Sequence, residues 1–257
     1  ITVGATENSI IAACLAKGKT VLKNCAVEPE IKDLTNFLNL AGAKINWKGR
    51  TCIINGVDSL KSINYSVMAD RIEASTFCVA ATLAKGNLEI NNLDAKIINT
   101  EINLLKKTGA KIKVGMNKIH INGPEKIKSI KNIKTKEFPG IPTDLQAQLM
   151  VLMCKAKGKS LITENIFENR FMHVAELQRL GANITTKNNK AYIEGNAKFI
   201  GAEVMSSDLR ASVALVLAAS VANGKSIINR IYHLDRGYER IENKLKSIGV
   251  KIKRLKK

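Results

Sequence analysis

Apolar positions in this chain follow two alternating periods. Residues Glu7-Asn8-Ser9-Ile10-Ile11-Ala12-Ala13-Cys14-Leu15-Ala16 are small or apolar on nearly every face, which predicts a helix over 7–16 with Gly18 as its C′ residue. A β-branched run, Thr20-Val21-Leu22, predicts a strand. Apolar residues at 31, 34, 37, 38 and 40 then predict an amphipathic helix that also ends at a glycine. Two short strands follow, Lys44–Trp47 and Thr51–Ile54, joined by the turn Lys48-Gly49-Arg50.

This pattern repeats. Gly42-Ala43-Lys44-Ile45 returns as Gly109-Ala110-Lys111-Ile112, Gly181-Ala182-Asn183-Ile184 and Gly249-Val250-Lys251-Ile252, at steps of 67, 72 and 68 residues. A second marker, a glycine after each small-residue helix, keeps step at Gly18, Gly86, Gly158 and Gly224. The further strands predicted are Leu88–Ile90, Ser160–Ile162 and Ser226–Ile228. With a strand expected before each first helix, the repeat is βαβαββ over about 1–57, 66–123, 138–196 and 203–257. Helices alternating with strands make the class α/β. The small-residue helices should lie inside, wrapped by sheets, with their N-termini converging at one end where they can collect anions.

Composition narrows the options. Hydrophobic residues make up 45% and charged residues 25% of 257 residues, which excludes disorder and fibre. No apolar run reaches the ~18 residues of a membrane span. Ile10–Ala16 is short and lacks a basic leader, so no signal peptide is expected. The net charge of +19 raises nucleic-acid binding. Against that, only nine of 41 basic residues are Arg, the Lys are spread evenly, and aromatics for base stacking are scarce at 4%. A lysine-rich surface that draws in acidic metabolites is the simpler account. Cys14, Cys25, Cys52, Cys78 and Cys154 are odd in number and form no CxxC, as free buried thiols in a reducing cytoplasm would be. His120, His173 and His233 are too scattered for a zinc site.

Four segments carry a resemblance. Thr2-Val3-Gly4-Ala5-Thr6-Glu7-Asn8, Phe167-Glu168-Asn169-Arg170-Phe171-Met172-His173, Asp208-Leu209-Arg210-Ala211-Ser212 and Asp235-Arg236-Gly237-Tyr238-Glu239-Arg240-Ile241, together with Pro142–Gln148, resemble the UDP-N-acetylglucosamine 1-carboxyvinyltransferases, the bacterial enolpyruvyl transferases of peptidoglycan synthesis. The similarity runs from Ile1 to about Arg254. It implies an inside-out α/β barrel architecture of two domains, each of three βαβαββ repeats, with four of the six present. Residues 1–66 resemble the last repeat of the first domain and 67–257 most of the second. The chain then lacks the family's amino-terminal lysine and the loop with its catalytic cysteine, and no cysteine here matches that loop.

The resemblance implies transfer of the enolpyruvyl group of phosphoenolpyruvate to the 3-hydroxyl of UDP-N-acetylglucosamine with release of phosphate, without metal or cofactor and away from membrane and nucleic acid. Such chemistry needs a base, an acid and fixed cations. Asp144, just past Pro142-Thr143, is the expected base or hydroxyl-orienting carboxylate; alternatively it is an ordinary first-turn acid favoured by the helix dipole. Arg170, Arg210 and Arg236 are the expected cation set, since guanidinium grips carboxylate and phosphate through paired hydrogen bonds. Alternatively they make surface salt bridges, for example Arg236 with Asp235 or Glu239. Ile1, Thr2, Val3 and Gly4 match the nucleotide-binding segment, and Ile166 the position whose backbone touches the uridine-linked sugar. Asp70 and Arg71 are expected to be structural ion partners, His173 to satisfy packing or a backbone carbonyl, and His233 and Tyr238 to hold the Arg236 loop. The sister reaction on a shikimate phosphate remains the alternative. So does a non-catalytic binding protein that keeps the repeats without the cysteine loop.

Overall fold

The structure is a computed structural model and describes residues 1–255. It divides into two compact lobes. Lobe 1 comprises Ile1–Ala69 with Glu137–Gly140, and lobe 2 comprises Asp70–Lys136 with the chain from Ile141 onward.

Lobe 1 contains helix α1 (Val3–Cys14), strand β1 (Lys19–Leu22), α2 (Pro29–Leu40), β2 (Lys44–Lys48) and β3 (Thr51–Asn55). The strands form an antiparallel sheet in the order β1-β3-β2. Its core joins Ile10, Ala13 and Cys14 of α1 to Ile31 and Leu38 of α2 and Ile45, Cys52 and Ile54 of the sheet. The predicted first helix begins four residues early, because the Thr2 hydroxyl accepts the Ala5 N–H at 3.0 Å and caps it. It is also not buried all round, since Ile11 and Leu15 are 51% and 56% exposed. One three-stranded sheet and one neighbouring helix cover only one side of α1.

Lobe 2 repeats the plan. Its elements are α3 (Arg71–Leu83), β4 (Asn87–Asn91), α4 (Asn99–Lys107), β5 (Lys111–Gly115), β6 (Lys118–Asn122), β7 (Asn132–Lys134), α5 (Gln146–Lys155), β8 (Lys159–Thr163), α6 (Val174–Arg179), β9 (Asn183–Lys187), β10 (Lys190–Glu194), β11 (Glu203–Met205), α7 (Leu209–Ser220), β12 (Ile227–Asn229) and α8 (Ile241–Ser247). Its sheets run β4-β6-β5, β7-β8-β10-β9 and β11-β12, with β7–β8 and β11–β12 parallel. Here the small-residue helices are interior as expected. Every residue from Gln146 to Cys154 is buried, as is every residue from Ala211 to Ala218. Helix α5 packs against both α3 and α7.

A strand precedes the first helix in two repeats, at β7 and β11, but not before α3. Residues 59–70 there are irregular. The polar groups of that segment find side-chain and loop partners instead of a ladder: the Tyr65 hydroxyl and the Met68 N–H donate to the Asp33 carboxylate, and the Lys61 N–H to the Ala41 carbonyl.

The recurring glycine tetrad has one mechanical meaning. Gly42, Gly109, Gly181 and Gly249 each sit at C′ of an amphipathic helix with φ between 95° and 105°. Each donates its N–H two residues back from the cap, and the next residue donates to the carbonyl one further back, as in Gly42 to Asn39 and Ala43 to Leu38. That is a Schellman ending, after which the chain turns directly into a strand at Gly42, Gly109 and Gly181; after Gly249 the described residues 250–255 are irregular, so the strands expected in the fourth repeat do not form there. The other glycine marker differs from expectation. At α3 it is Lys85 that takes the left-handed C′ position, at φ 56°, and Gly86 follows it. Gly18 lies beyond the C′ of α1, past its cap Leu15. A left-handed lysine carries a Cβ penalty that glycine lacks. Gly42→Ala is therefore expected to cost about 1 kcal/mol, although nothing lies within 4 Å of the added Cβ. Lys85→Gly is expected to gain about 0.5 kcal/mol. Thermal unfolding of the two variants should shift in opposite directions.

Candidate functional site

Helix starts α3, α5 and α7 each bring an aspartate. Asp70 and Asp208 turn inward and cap their own helices. Asp70 accepts from Ile72 and Glu73 N–H at 2.7 and 3.1 Å, and Asp208 from Arg210 and Ala211 N–H at 2.8 and 3.0 Å. These N-termini thus hold the chain's own carboxylates, and the expectation that they collect anions directly is corrected for both. Asp144 behaves differently. It sits in a 3-10 turn, Thr143–Leu145, before α5, and its side chain makes no cap bond. One oxygen accepts from Arg170 Nη2 at 2.7 Å and the other from Arg210 Nη2 at 2.8 Å.

Local sequence explains how the arginines arrive there. Arg210 is the second residue of α7, directed by the Asp208 cap. Arg170 comes from the turn after β8, where Asn169 adopts φ 53°, and its guanidinium lies 4.8 Å above the Phe167 ring. Arg236 ends a 3-10 turn, Ile231–Arg236, whose loop is entered and left through the left-handed residues Arg230 and Arg240. Beneath it, buried Tyr238 bonds Thr76 Oγ1 at 2.8 Å, and Gln148 Nε2 donates to Thr76 Oγ1 at 3.1 Å. Tyr238 therefore anchors the loop, while His233 stacks on Tyr232 with ring centroids 4.3 Å apart. Neither Asp235 nor Glu239 takes Arg236. Asp235 pairs in two bonds with Arg254, which also reaches Glu242 at 3.0 Å. Arg236 is exposed and, among the described residues, has no carboxylate partner.

Asp144, Arg170, Arg210 and Arg236 line one hollow of about 350 Å³, together with Gln146 and His173. Burial pushes the Asp144 carboxyl up, but the hydrogen bond and charge of Arg210 and the charges of Arg170 and Arg71 outweigh it and hold the carboxyl below its ordinary range. His173 is buried to 3% exposure, and burial pushes its imidazole down to about 4 against the opposing charge of Asp208. Among the described residues its Nε2 has no hydrogen-bond partner, nor have the two amide atoms of Gln146, so two residues lining the hollow carry buried, unpaired polar atoms. All five cysteines are buried and free, and burial drives Cys52, Cys78 and Cys154 to about 12, far from nucleophilic thiolates. Among the described residues no group of three His, Cys, Asp or Glu could hold a metal ion, and no helix is long and apolar enough to cross a membrane.

Ile166 lies on the same lobe, 38% exposed, with its backbone N–H bound to Glu164 at 2.8 Å. Ile1, Thr2, Val3 and Gly4 form the start of α1 in lobe 1, where Thr2 is the cap and a Cβ on Gly4 would meet nothing within 4 Å. Arg71 is buried, and its charge bears on both Asp144 and Glu101. Sequence reasoning missed Glu164, Phe167 beneath Arg170, and the Thr76–Gln148–Tyr238 network.

The family model for EPSP synthase (3-phosphoshikimate 1-carboxyvinyltransferase) matches residues 1–245. The chain belongs to this family. Within the EPSP synthase family it is 64% identical over 256 residues to the UDP-N-acetylglucosamine 1-carboxyvinyltransferase of Pelagibacter ubique, covering 99% of this chain and 61% of that protein. It is 48% identical to the protein of the same name from Coxiella burnetii, covering 99% and 59%. The enolpyruvyl transferase NikO from Streptomyces tendae superposes with a TM-score of 0.89 at 26% identity, over 97% of this chain and 60% of that one. The fold is thus that of the enolpyruvyl transferases. The chain spans about three-fifths of the length of the curated relatives it matches.

The buried imidazole generates a pH prediction. His173 binds a proton near its ordinary value of 6.5 when unfolded but only near 4 when folded. Between those values the unfolded state holds more protons, so stability falls as pH drops from 6.5 to 4, by on the order of 3 kcal/mol. Denaturant unfolding should show this loss, and it should be smaller in His173→Gln.

Proposed function

We propose that this chain carries the carboxylate-and-guanidinium side of a site that transfers the enolpyruvyl group of phosphoenolpyruvate to the 3-hydroxyl of UDP-N-acetylglucosamine, releasing phosphate. The observation that carries it is the behaviour of three equivalent aspartates. Two cap helices, and Asp144 alone is given up to a pair of arginines at the rim of a hollow. The names of the relatives at 64% and 48% identity favour the nucleotide sugar over a shikimate phosphate as acceptor.

The chemistry follows from charge. Phosphoenolpyruvate brings a carboxylate and a phosphate, both suited to guanidinium forks. Arg236, already without a carboxylate, and Arg210 take the phosphoenolpyruvate side, and Arg170 closes over the cleft. A carboxylate gripped by two arginines is a weak base. An arriving anion draws those guanidinium groups to itself, and its own charge lifts the affinity of Asp144 for a proton. Asp144 then accepts the proton of the sugar hydroxyl as that oxygen attacks C2. The C3 methylene gains a proton from an acid to give a tetrahedral adduct. That adduct then loses a proton from its C3 methyl to a base as the C2–O bond to phosphate breaks and the C2–C3 double bond re-forms, the charge of the departing phosphate held by the same arginines. Thr2, Val3 and Gly4 offer the N-terminus of α1 to a diphosphate, with Ile1 beside it. Gly4, with no internal demand for glycine, leaves room for that approach. The Ile166 backbone meets the uridine-linked sugar.

The acid, and the other side of the cleft, are supplied from outside these 257 residues, in the part of the protein corresponding to the relatives' remaining length. The buried free cysteines are consistent with a cytoplasmic location, where thiols stay reduced. No part of this chemistry calls for a cofactor.

Two measurements test the reading. The 257-residue chain alone should release no phosphate from phosphoenolpyruvate and UDP-N-acetylglucosamine at an enzymic rate; normal turnover would contradict the division of the site. In full-length protein, Asp144→Asn should lower turnover by roughly three powers of ten or more while nucleotide-sugar affinity changes much less. Unchanged turnover would remove Asp144 from the base role. Calorimetry with the full-length protein should show binding of UDP-N-acetylglucosamine and not of shikimate 3-phosphate; the reverse would exchange the acceptor.

A further inference from the structure

We infer that Glu164 is a positioning residue for this site, its carboxylate clamping the turn that bears Asp144 to the loop that bears Arg170. The inference rests on the proposed reading for its catalytic meaning, but its geometry stands apart from any substrate.

Glu164 follows β8 and is 2% exposed. A buried carboxylate is costly unless donors surround it. Four do. Thr135 Oγ1 and the backbone N–H groups of Ile166 and Phe167 donate to one oxygen at 2.8, 2.8 and 3.1 Å, and Thr143 Oγ1 donates to the other at 2.9 Å. The main chain of Glu164 is fixed as well. Its N–H donates to the Asn189 carbonyl at 2.8 Å, and Asn189 Nδ2 donates to its carbonyl at 3.0 Å.

The two ends of this clamp reach the two partners of one ion pair. Thr143 immediately precedes Asp144. Phe167, held through its N–H, places its ring beneath the Arg170 guanidinium. The circuit from Glu164 through Thr143 to Asp144, across 2.7 Å to Arg170 and back through Phe167 is closed. A single side chain thereby fixes the separation of a carboxylate and a cation that come from different segments. Reactive geometry tolerates errors of only about half an ångström, and displacement by about 1 Å can cost a hundredfold in rate.

The Asp144 carboxyl itself supplies a substrate-free readout. It faces Arg170 and Arg210 in contact and feels Arg71, while Arg236, Glu168 and Asp208 line the same hollow. In the 257-residue chain labelled with 13C at aspartate carboxyls, Thr143→Val should raise the Asp144 titration midpoint by roughly a few tenths of a pH unit, and Glu164→Ala by more. Glu164→Gln should lie nearer wild type, because its oxygen keeps the backbone donors and the Thr143 hydroxyl can turn to accept from its amide. Folded Thr143→Val and Glu164→Ala proteins with a wild-type Asp144 midpoint would overturn the inference. Should Glu164→Ala fail to fold, Thr143→Val, which removes one hydroxyl and keeps the shape, decides alone. In full-length enzyme, Thr143→Val should lower kcat roughly tenfold with little change in the KM for nucleotide sugar. An unchanged kcat beside a shifted midpoint would also overturn it. Full-length wild type that transfers nothing would defeat the proposed reaction instead, leaving the midpoint experiment intact.

Discussion

The site depends on one carboxylate held by two guanidinium groups. Arg170 and Arg210 approach opposite oxygens of Asp144 from a loop and from a helix start, and they keep three elements of lobe 2 in register at the mouth of a single hollow. The pairing is partly exposed, so it lends little to global stability; surface ion pairs are worth at most about 1 kcal/mol. Its value is geometric and electrostatic. The resting state stores cationic charge against a group that is itself part of the chain.

The interior helices make this arrangement possible. Because α5 and α7 are buried over most of their lengths and pack on one another, their first residues are fixed relative to one another. Polar groups beneath are equally constrained: Tyr238, Thr76 and Gln148 tie α3, α5 and the Arg236 loop together through hydroxyl and amide bonds in an otherwise apolar layer. The rim can therefore carry charge that is only partly neutralised without the loops drifting apart.

Much of this was legible in the residues. The glycine tetrads announced four helix endings, since only a left-handed C′ explains a glycine fixed between an amphipathic helix and a strand. The stretches around Asp144, Arg170, Arg210 and Arg236 were legible through their resemblance to the enolpyruvyl transferases, and the rarity of arginine in a chain whose ordinary base is lysine weighed against a mere salt-bridge role for the three arginines. What could not be read was anything set by contacts distant in sequence. That Asp208 caps a helix while Asp144 does not depends on where Arg170 lies, 26 residues away. The missing strand before α3 reflects partners on α2, and the exposure of α1 reflects how few elements lobe 1 offers to cover it. Glu164 gave no signal at all, as an acid after a strand is usually a solvated one.

Arg254 supports the rim from a distance. It lies beyond the last helix, yet its guanidinium spans Asp235 and Glu242, one on either side of Gly237 and Tyr238. Arg254 is thus the outer buttress of the segment presenting Arg236, while Tyr238 is the inner one. Losing Arg254, an innocuous change by the look of the sequence, would strip the outer support from a cation at the rim and release two acidic side chains beside it.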